Sequence, residues 1–176
     1  MNWSRWWPVG LVVIIVAVGV APAQAQQSIS EARDEPLGTE VTVEGTVTRA
    51  YGAYARIQDE SGPTGASAIV IRQTSGSNST AFQDAIEAGE IQPGTTLEVT
   101  GSTSAFNGII QINNDDLGSF EVKAQGEPPS PQTVTLEDLS QNGEEYESEL
   151  LRIEGLRFVS ASGTFANGTT YTVEDG

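Results

Sequence analysis

A short phrase of alternating apolar and polar residues that closes on glycine recurs three times: Val41-Thr42-Val43-Glu44-Gly45, Leu97-Glu98-Val99-Thr100-Gly101 and Leu151-Arg152-Ile153-Glu154-Gly155. Its period of two is that of a strand with one buried face. Glycine inside such a strand marks a bulge, a sharp coil or a close backbone approach. A chain written in this phrase points to an all-β fold of bent strands. The first copy continues through Val47, turns at Gly52 and enters a second strand, Tyr54 to Gln58, so that Val41 to Asp59 forms an opening hairpin.

The remaining elements follow in a regular order. Ser28 to Arg33 is a short amphipathic lead-in, ended by Pro36 and Gly38. Asp59-Glu60-Ser61-Gly62-Pro63 is a turn. Ala68 to Arg72 is a third strand, with Ile69 and Ile71 on one face and Val70 and Arg72 on the other. After a polar loop at Ser75 to Ser79, Thr80 and Gln83 have the spacing of a capping box, Phe82, Ala85 and Ile86 share a helical face, and Gly89 ends the helix. Pro93-Gly94 leads into a fourth strand, Thr96 to Thr100. Asn107-Gly108 is a hairpin signal before a fifth strand, Ile109 to Ile112, and Gly118 to Ala124 is a short closing strand. An all-β chain of five strands, with one short helix between the third and fourth, has the order of the OB-fold, a small Greek-key barrel; a small sandwich is the alternative all-β reading, and the placement of the helix favours the barrel. The glycine in the first strand suits a strand that bends to pair on both sides.

Residues 125–132 form a polar linker stiffened by Pro128, Pro129 and Pro131. The plan then restarts. Val134 to Leu139 resembles the lead-in, Leu151 to Gly155 repeats the first strand, and Tyr171 to Gly176 repeats the strand ending in Ile57-Gln58-Asp59. The expected division is a signal peptide over 1–25, an OB-fold domain over 26–124, the linker, and an incomplete second repeat over 133–176, cut off after its first hairpin. The leader is read from Arg5, the apolar run Val9 to Val20 and the small-x-small site Ala23-Gln24-Ala25, with cleavage before Gln26. An uncleaved anchor is the competing reading of the same run. The expected location is secreted, periplasmic or cell-surface, with no membrane attachment after cleavage.

Composition narrows the function classes. The chain has no Cys, which excludes disulfides and a cysteine-borne lipid anchor. It has no His either, removing the commonest general base and the usual zinc sites. No nucleophile elbow or phosphate-cradling loop is present, and the chain reads as non-catalytic and without a cofactor. There are 8 basic and 24 acidic residues; without Arg5 the balance is 7 against 24, a net of −17, and Lys123 is the only lysine. Such a balance has two readings, an ordinary acidic secreted protein and adaptation to high salt, where screening lengths are short and acidic surfaces stay hydrated; the scarcity of lysine favours the second.

The Val-x-Glu-Gly-x-Val opening, the Tyr-x-x-x-x-Asp second strand and the Pro-Gly-x-x-Leu-x-Val-x-Gly fourth strand resemble the OB-like domains of secreted and cell-surface bacterial proteins. Those domains often occur in tandem, beside extracellular nuclease, phosphatase, lamin-tail-like or sorting domains. The resemblance implies an accessory or nucleic-acid-binding module, working with a downstream domain of a longer protein.

OB-folds bind oligomers across strands 2 and 3 and the loops joining strands 1–2 and 4–5. Here alternation puts Ala55 and Ile57 inward and Tyr54, Arg56 and Gln58 outward. Arg72 projects from the third strand, Tyr51 lies in the 1–2 loop, and Phe106 and Asn107 lie in the 4–5 loop. An arginine beside an aromatic ring clamps and stacks a base or a sugar. The expected ligand-binding residues are therefore Tyr51, Tyr54, Arg56, Arg72, Phe106 and Asn107. Single-stranded nucleic acid is the leading ligand, with an oligosaccharide or a purely structural spacer role as alternatives. Asn113-Asn114-Asp115-Asp116 offers oxygen ligands but lacks the glycine and distal glutamate of a calcium loop, and reads as a polar turn. Glu144, Glu145, Glu147 and Glu149 read as a solvated connector.

Overall fold

The structure, a computed structural model, describes residues 25–160, 163–166 and 169–176. The leader read from the sequence falls, but for its last residue, outside the described residues. Helix α1 (Ile29–Asp34) opens the described chain, fixed by a capping box in which Ser28 and Glu31 bond each other's backbone N–H. Ile29 and Ala32, on its inner face, are fully buried. Strands β1 (Glu40–Tyr51), β2 (Tyr54–Asp59) and β3 (Ser67–Arg72) follow, then helix α2 (Ser79–Glu87). Next come β4 (Thr95–Ser102), β5 (Ser104–Phe106), β6 (Ile109–Asn113), a 3-10 turn (Asn114–Asp116) and β7 (Leu117–Gln125).

These seven strands form one sheet in the order β5-β6-β3-β2-β1-β4-β7. All pairings are antiparallel except β3 with β6, which is parallel. The order, with α2 between β3 and β4, is that of an OB-like barrel whose sheet is not closed. β4 passes through the single buried residue Thr103 into β5, so one stretch pairs with β1 at its start and with β6 at its end. Val41, Val43, Val47, Ala55, Ile57, Ile69, Ile71, Leu97, Val99 and Ile112 fill the interior, and Ile29 of α1 and Phe82 of α2 join the same core. Phe82 meets Phe120 of β7 edge to face, with ring centroids 5.2 Å apart.

Three local expectations change. The glycine in β1 is not the bulge. Gly45 pairs regularly with Leu97, and the register shift falls between Val47 and Arg49, leaving Thr48 as the extra residue. Gly45 instead admits a close approach: a Cβ there would lie 3.0 Å from Ile29 Cδ1 and 3.1 Å from both the N and O of Gln58. Second, α2 is not capped by Thr80. Its N-cap is Asn78, whose side-chain amide donates to the carbonyls of Leu117 (2.7 Å) and Gly118 (3.1 Å) instead of serving its own helix. Third, the Asn/Asp cluster after β6 clamps the loop before α2: Asn114 Oδ1 accepts from the N–H groups of Thr74 and Ser75, and Asp115 Oδ1 from Ser77.

Beyond β7 the chain forms β8 (Gln132–Thr133), α3 (Leu136–Asn142), a 3-10 turn (Gly143–Tyr146), β9 (Leu151–Arg152), β10 (Leu156–Phe158) and β11 (Val173–Asp175). Thr135 and Asp138 form the same capping box at α3 that Ser28 and Glu31 form at α1. The hairpin here differs from the first one. Leu151 and Arg152 pair in parallel with β8, and the antiparallel hairpin begins only at Leu156, after Gly155. The reason is conformational: Gly155 has φ 72 and breaks the strand, whereas Gly45 stays within an extended one.

Candidate functional site

The bulge at Thr48 builds the site. Inward positions in β1 run Val41, Val43, Gly45, Val47; strict alternation would continue them to Arg49 and Tyr51. The extra residue reverses the parity, so Ala50 packs toward the core while Arg49 and Tyr51 turn to the outer face. Two rows then cross the outer face of four strands. One runs Arg49, Arg56, Val70, Gln111; the next runs Tyr51, Tyr54, Arg72, Asn113. Residues from both rows, together with Phe106 and Ile109 from the β5–β6 hairpin, line a cleft of about 250 Å³.

The rings and cations are held in register. Tyr51 and Tyr54 are nearly parallel, at 12°, with centroids 5.5 Å apart. The Arg49 guanidinium lies over the Tyr51 ring, 4.7 Å from its centroid. Arg72 Nε donates to Tyr54 Oη at 2.9 Å and its Nη1 to Asn113 Oδ1 at 3.2 Å. Those bonds place the Arg72 guanidinium at the hydroxyl end of the Tyr54 ring, 5.5 Å from the centroid, where the ring–cation attraction is weak. Tyr51 is 53% exposed and Phe106 63%.

The electrostatics of the cleft run against the rest of the chain. Arg33, Lys123, Arg152 and Arg157 each pair with a glutamate. Among the described residues Arg49, Arg56 and Arg72 have no carboxylate within ion-pair distance, and no Asp or Glu lines the cleft. Arg49 and Arg56 are also direct cross-strand partners, an arrangement that costs stability when nothing neutralises it. In a chain with 24 acidic residues, these three arginines share one face without a carboxylate partner.

Of the six residues expected from the sequence, Tyr51, Tyr54, Arg56, Arg72 and Phe106 come together in this cleft. Tyr51 stands in β1, not in the loop after it. Asn107 does not line the cleft. With φ 53 beside Gly108 at φ 90, it is the first residue of a tight hairpin turn, which demands left-handed backbone at both positions. Arg49, Val70, Ile109 and Gln111 line the cleft without having been expected there. Arg49 was hidden by the bulge, since no residue at Val47 to Arg49 announces one. Gln58, expected outward, does point away from the barrel but is buried, because Leu150 N–H donates to its Oε1 at 2.8 Å.

No protein-family model matches the chain, and no curated protein matches it. Among solved structures it is similar to an aspartyl-tRNA synthetase from Entamoeba histolytica (TM-score 0.45, 16% identity, covering 69% of this chain and 27% of that one). An asparaginyl-tRNA synthetase from the same organism gives a TM-score of 0.39 at 17% identity, over 68% of this chain and 26% of that one. The Stn1–Ten1 complex of S. pombe gives 0.32 at 16% identity, over 48% and 57%. The chain thus spans about a quarter of the length of the two synthetase chains. Scores this low carry no inference about ligands; the fold assignment rests on the strand order itself.

Proposed function

We propose that the chain is a binding module whose cleft takes a segment of single-stranded nucleic acid. The observation that carries this reading is the set of three arginines, Arg49, Arg56 and Arg72, left without carboxylate partners around two stacked tyrosines. Guanidinium groups suit phosphate oxygens, and exposed rings on a sheet face suit unpaired bases, each stack adding about 1–3 kcal/mol. The charge pattern favours an anionic polymer over a neutral glycan. We further read the module as an accessory of a secreted or cell-surface protein of a salty medium, with a second unit of the same plan starting at Val134. The aligned capping boxes Ser28/Glu31 and Thr135/Asp138 support that division.

Fluorescence anisotropy with labelled single-stranded DNA and RNA, from low to molar salt, tests the ligand. Three phosphate contacts predict a slope of about −2 in log K against log salt. Tyr54→Ala and Arg56→Ala should each weaken binding about tenfold, since each removes one stack or one charged contact of about 1.4 kcal/mol. Absence of binding at every salt concentration, or affinity indifferent to both substitutions, would sink the reading.

A further inference from the structure

The outer face of β2 and β3 extends past the cleft. Below Arg56 and Val70 the next outward pair is Gln58 and Ala68, about 7 Å further along the strands. Both are buried although they point out of the barrel. The chain's own segment from Gly143 to Leu150, which carries Glu144, Glu145, Glu147 and Glu149, packs there, its 3-10 turn against β3 and its Leu150 N–H on Gln58.

This strap is anchored through its acidic residues. Glu147 Oε1 accepts from Arg33 Nη1 at 2.6 Å and from the backbone N–H of Ile110 at 3.1 Å, and Arg33 also donates to the Ala68 carbonyl at 2.8 Å. Glu149 accepts from Gln132 Nε2 at 2.6 Å and from Thr64 Oγ1 at 3.3 Å. Ser148, with φ 66, turns the chain between the two anchors, and Leu150 N–H closes on Gln58. A stretch expected to be a solvated connector thus lays two carboxylates onto the barrel. Glu147 takes up the donors, Arg33 and the Ile110 N–H, that a polyanion running down from Arg56 would next meet, while Glu149 holds the strap to Gln132 and Thr64.

We propose that the strap sets the length of ligand the face accepts, by holding the lower half of the β2–β3 surface in place of a longer anionic strand. The inference rests on the cleft's being a nucleic-acid site. A short oligonucleotide fills the cleft with the strap in place; a long one gains contacts only when the strap lifts.

The test compares oligothymidylates of about 3 and about 12 nucleotides, the first shorter than the site sizes of such folds and the second within them, on three chains: the unmodified protein, Glu147→Gln with Glu149→Gln, and Glu144→Gln with Glu145→Gln. The last has the same charge change at exposed positions that hold no anchor. The expected result is that loss of the two anchors tightens binding of the long oligomer about tenfold and leaves the short one unchanged, while the exposed pair does neither. In the unmodified protein, saturating long oligomer should speed hydrogen exchange over residues 144–150 and the short one should not; this readout decides alone if the anchor variant fails to fold. Equal gains in both double variants, or unchanged exchange with the long oligomer bound, overturn the strap's role and leave the cleft standing. If no chain binds either oligomer, the cleft reading fails and this inference with it.

Discussion

A methyl group at position 45 has nowhere to go. It would press on Ile29 of α1 and on both backbone polar atoms of Gln58, and the strand atoms cannot move without disturbing the β1–β2 ladder. Gly45→Ala should therefore cost about 1–3 kcal/mol, seen as a lower urea midpoint at constant slope; an unchanged midpoint would show that the neighbours yield. Tyr51 is the opposite case. Its side chain is half exposed and lies outside the core cluster, so Tyr51→Ala should leave the midpoint within about 0.5 kcal/mol, while removing the ring under Arg49. A residue that matters to packing and one that matters to the cleft are thus separable by two measurements. Both sit on β1, either side of the single bulged threonine.

At the scale of elements, the two capping boxes and the strap respond to acid in opposite directions. Glu31 is held below the usual carboxylate range, first by the Ser28 N–H and then by its hydroxyl, and Asp138 likewise by Thr135. A lowered carboxyl adds stability above its unfolded pKa that is lost as pH falls through the folded value, so α1 and α3 should fray below about pH 4. Glu149 is shifted upward, chiefly by burial, against the opposing bonds from Gln132 and Thr64 and the charge of Arg33. A raised group favours the docked state most below its unfolded pKa and loses that advantage as pH rises through the folded one. Lowering the pH from neutral toward about 4.5 should then raise the protection of the Leu150 amide, its exchange rate taken relative to that of the unfolded chain at the same pH, before the helices begin to fray; protection that falls over that whole range would refute the assignment. Alternation along Val41 to Val47, the Asn107-Gly108 turn and the apolar face of α2 were legible in the sequence, because each is a local pattern with one solution. The Thr48 bulge was not, since threonine is an ordinary strand residue and only pairing with β2 exposes the extra one. Nor was the strap, whose acidic residues look solvated until Arg33 and the Ile110 N–H, far off in sequence, are brought beneath them.

For the molecule as a whole, charge pulls stability and binding apart. With 24 acidic residues the folded chain repels itself, and raising salt from about 0.01 M to about 0.1 M shortens the screening length from about 30 Å to about 10 Å. The Tm should rise by a few degrees, on the order of 1 kcal/mol, over the same range in which oligonucleotide affinity falls. A Tm that falls with salt would contradict this picture of the surface. The parallel contact between β3 and β6 bears on how the molecule is assembled. It joins Val70 to Gln111, with α2, β4 and β5 lying between, whereas β1 and β2 meet across a turn at Gly52. The β3–β6 ladder and the β1–β4 ladder, which joins Glu40 to Ser102, both wait on long loop closures, so both form more slowly than the β1–β2 hairpin. The tyrosine–arginine rows of β1 and β2 should therefore form early, and the cleft should become complete only after a long loop has closed and brought Gln111 and Asn113 beside Val70 and Arg72.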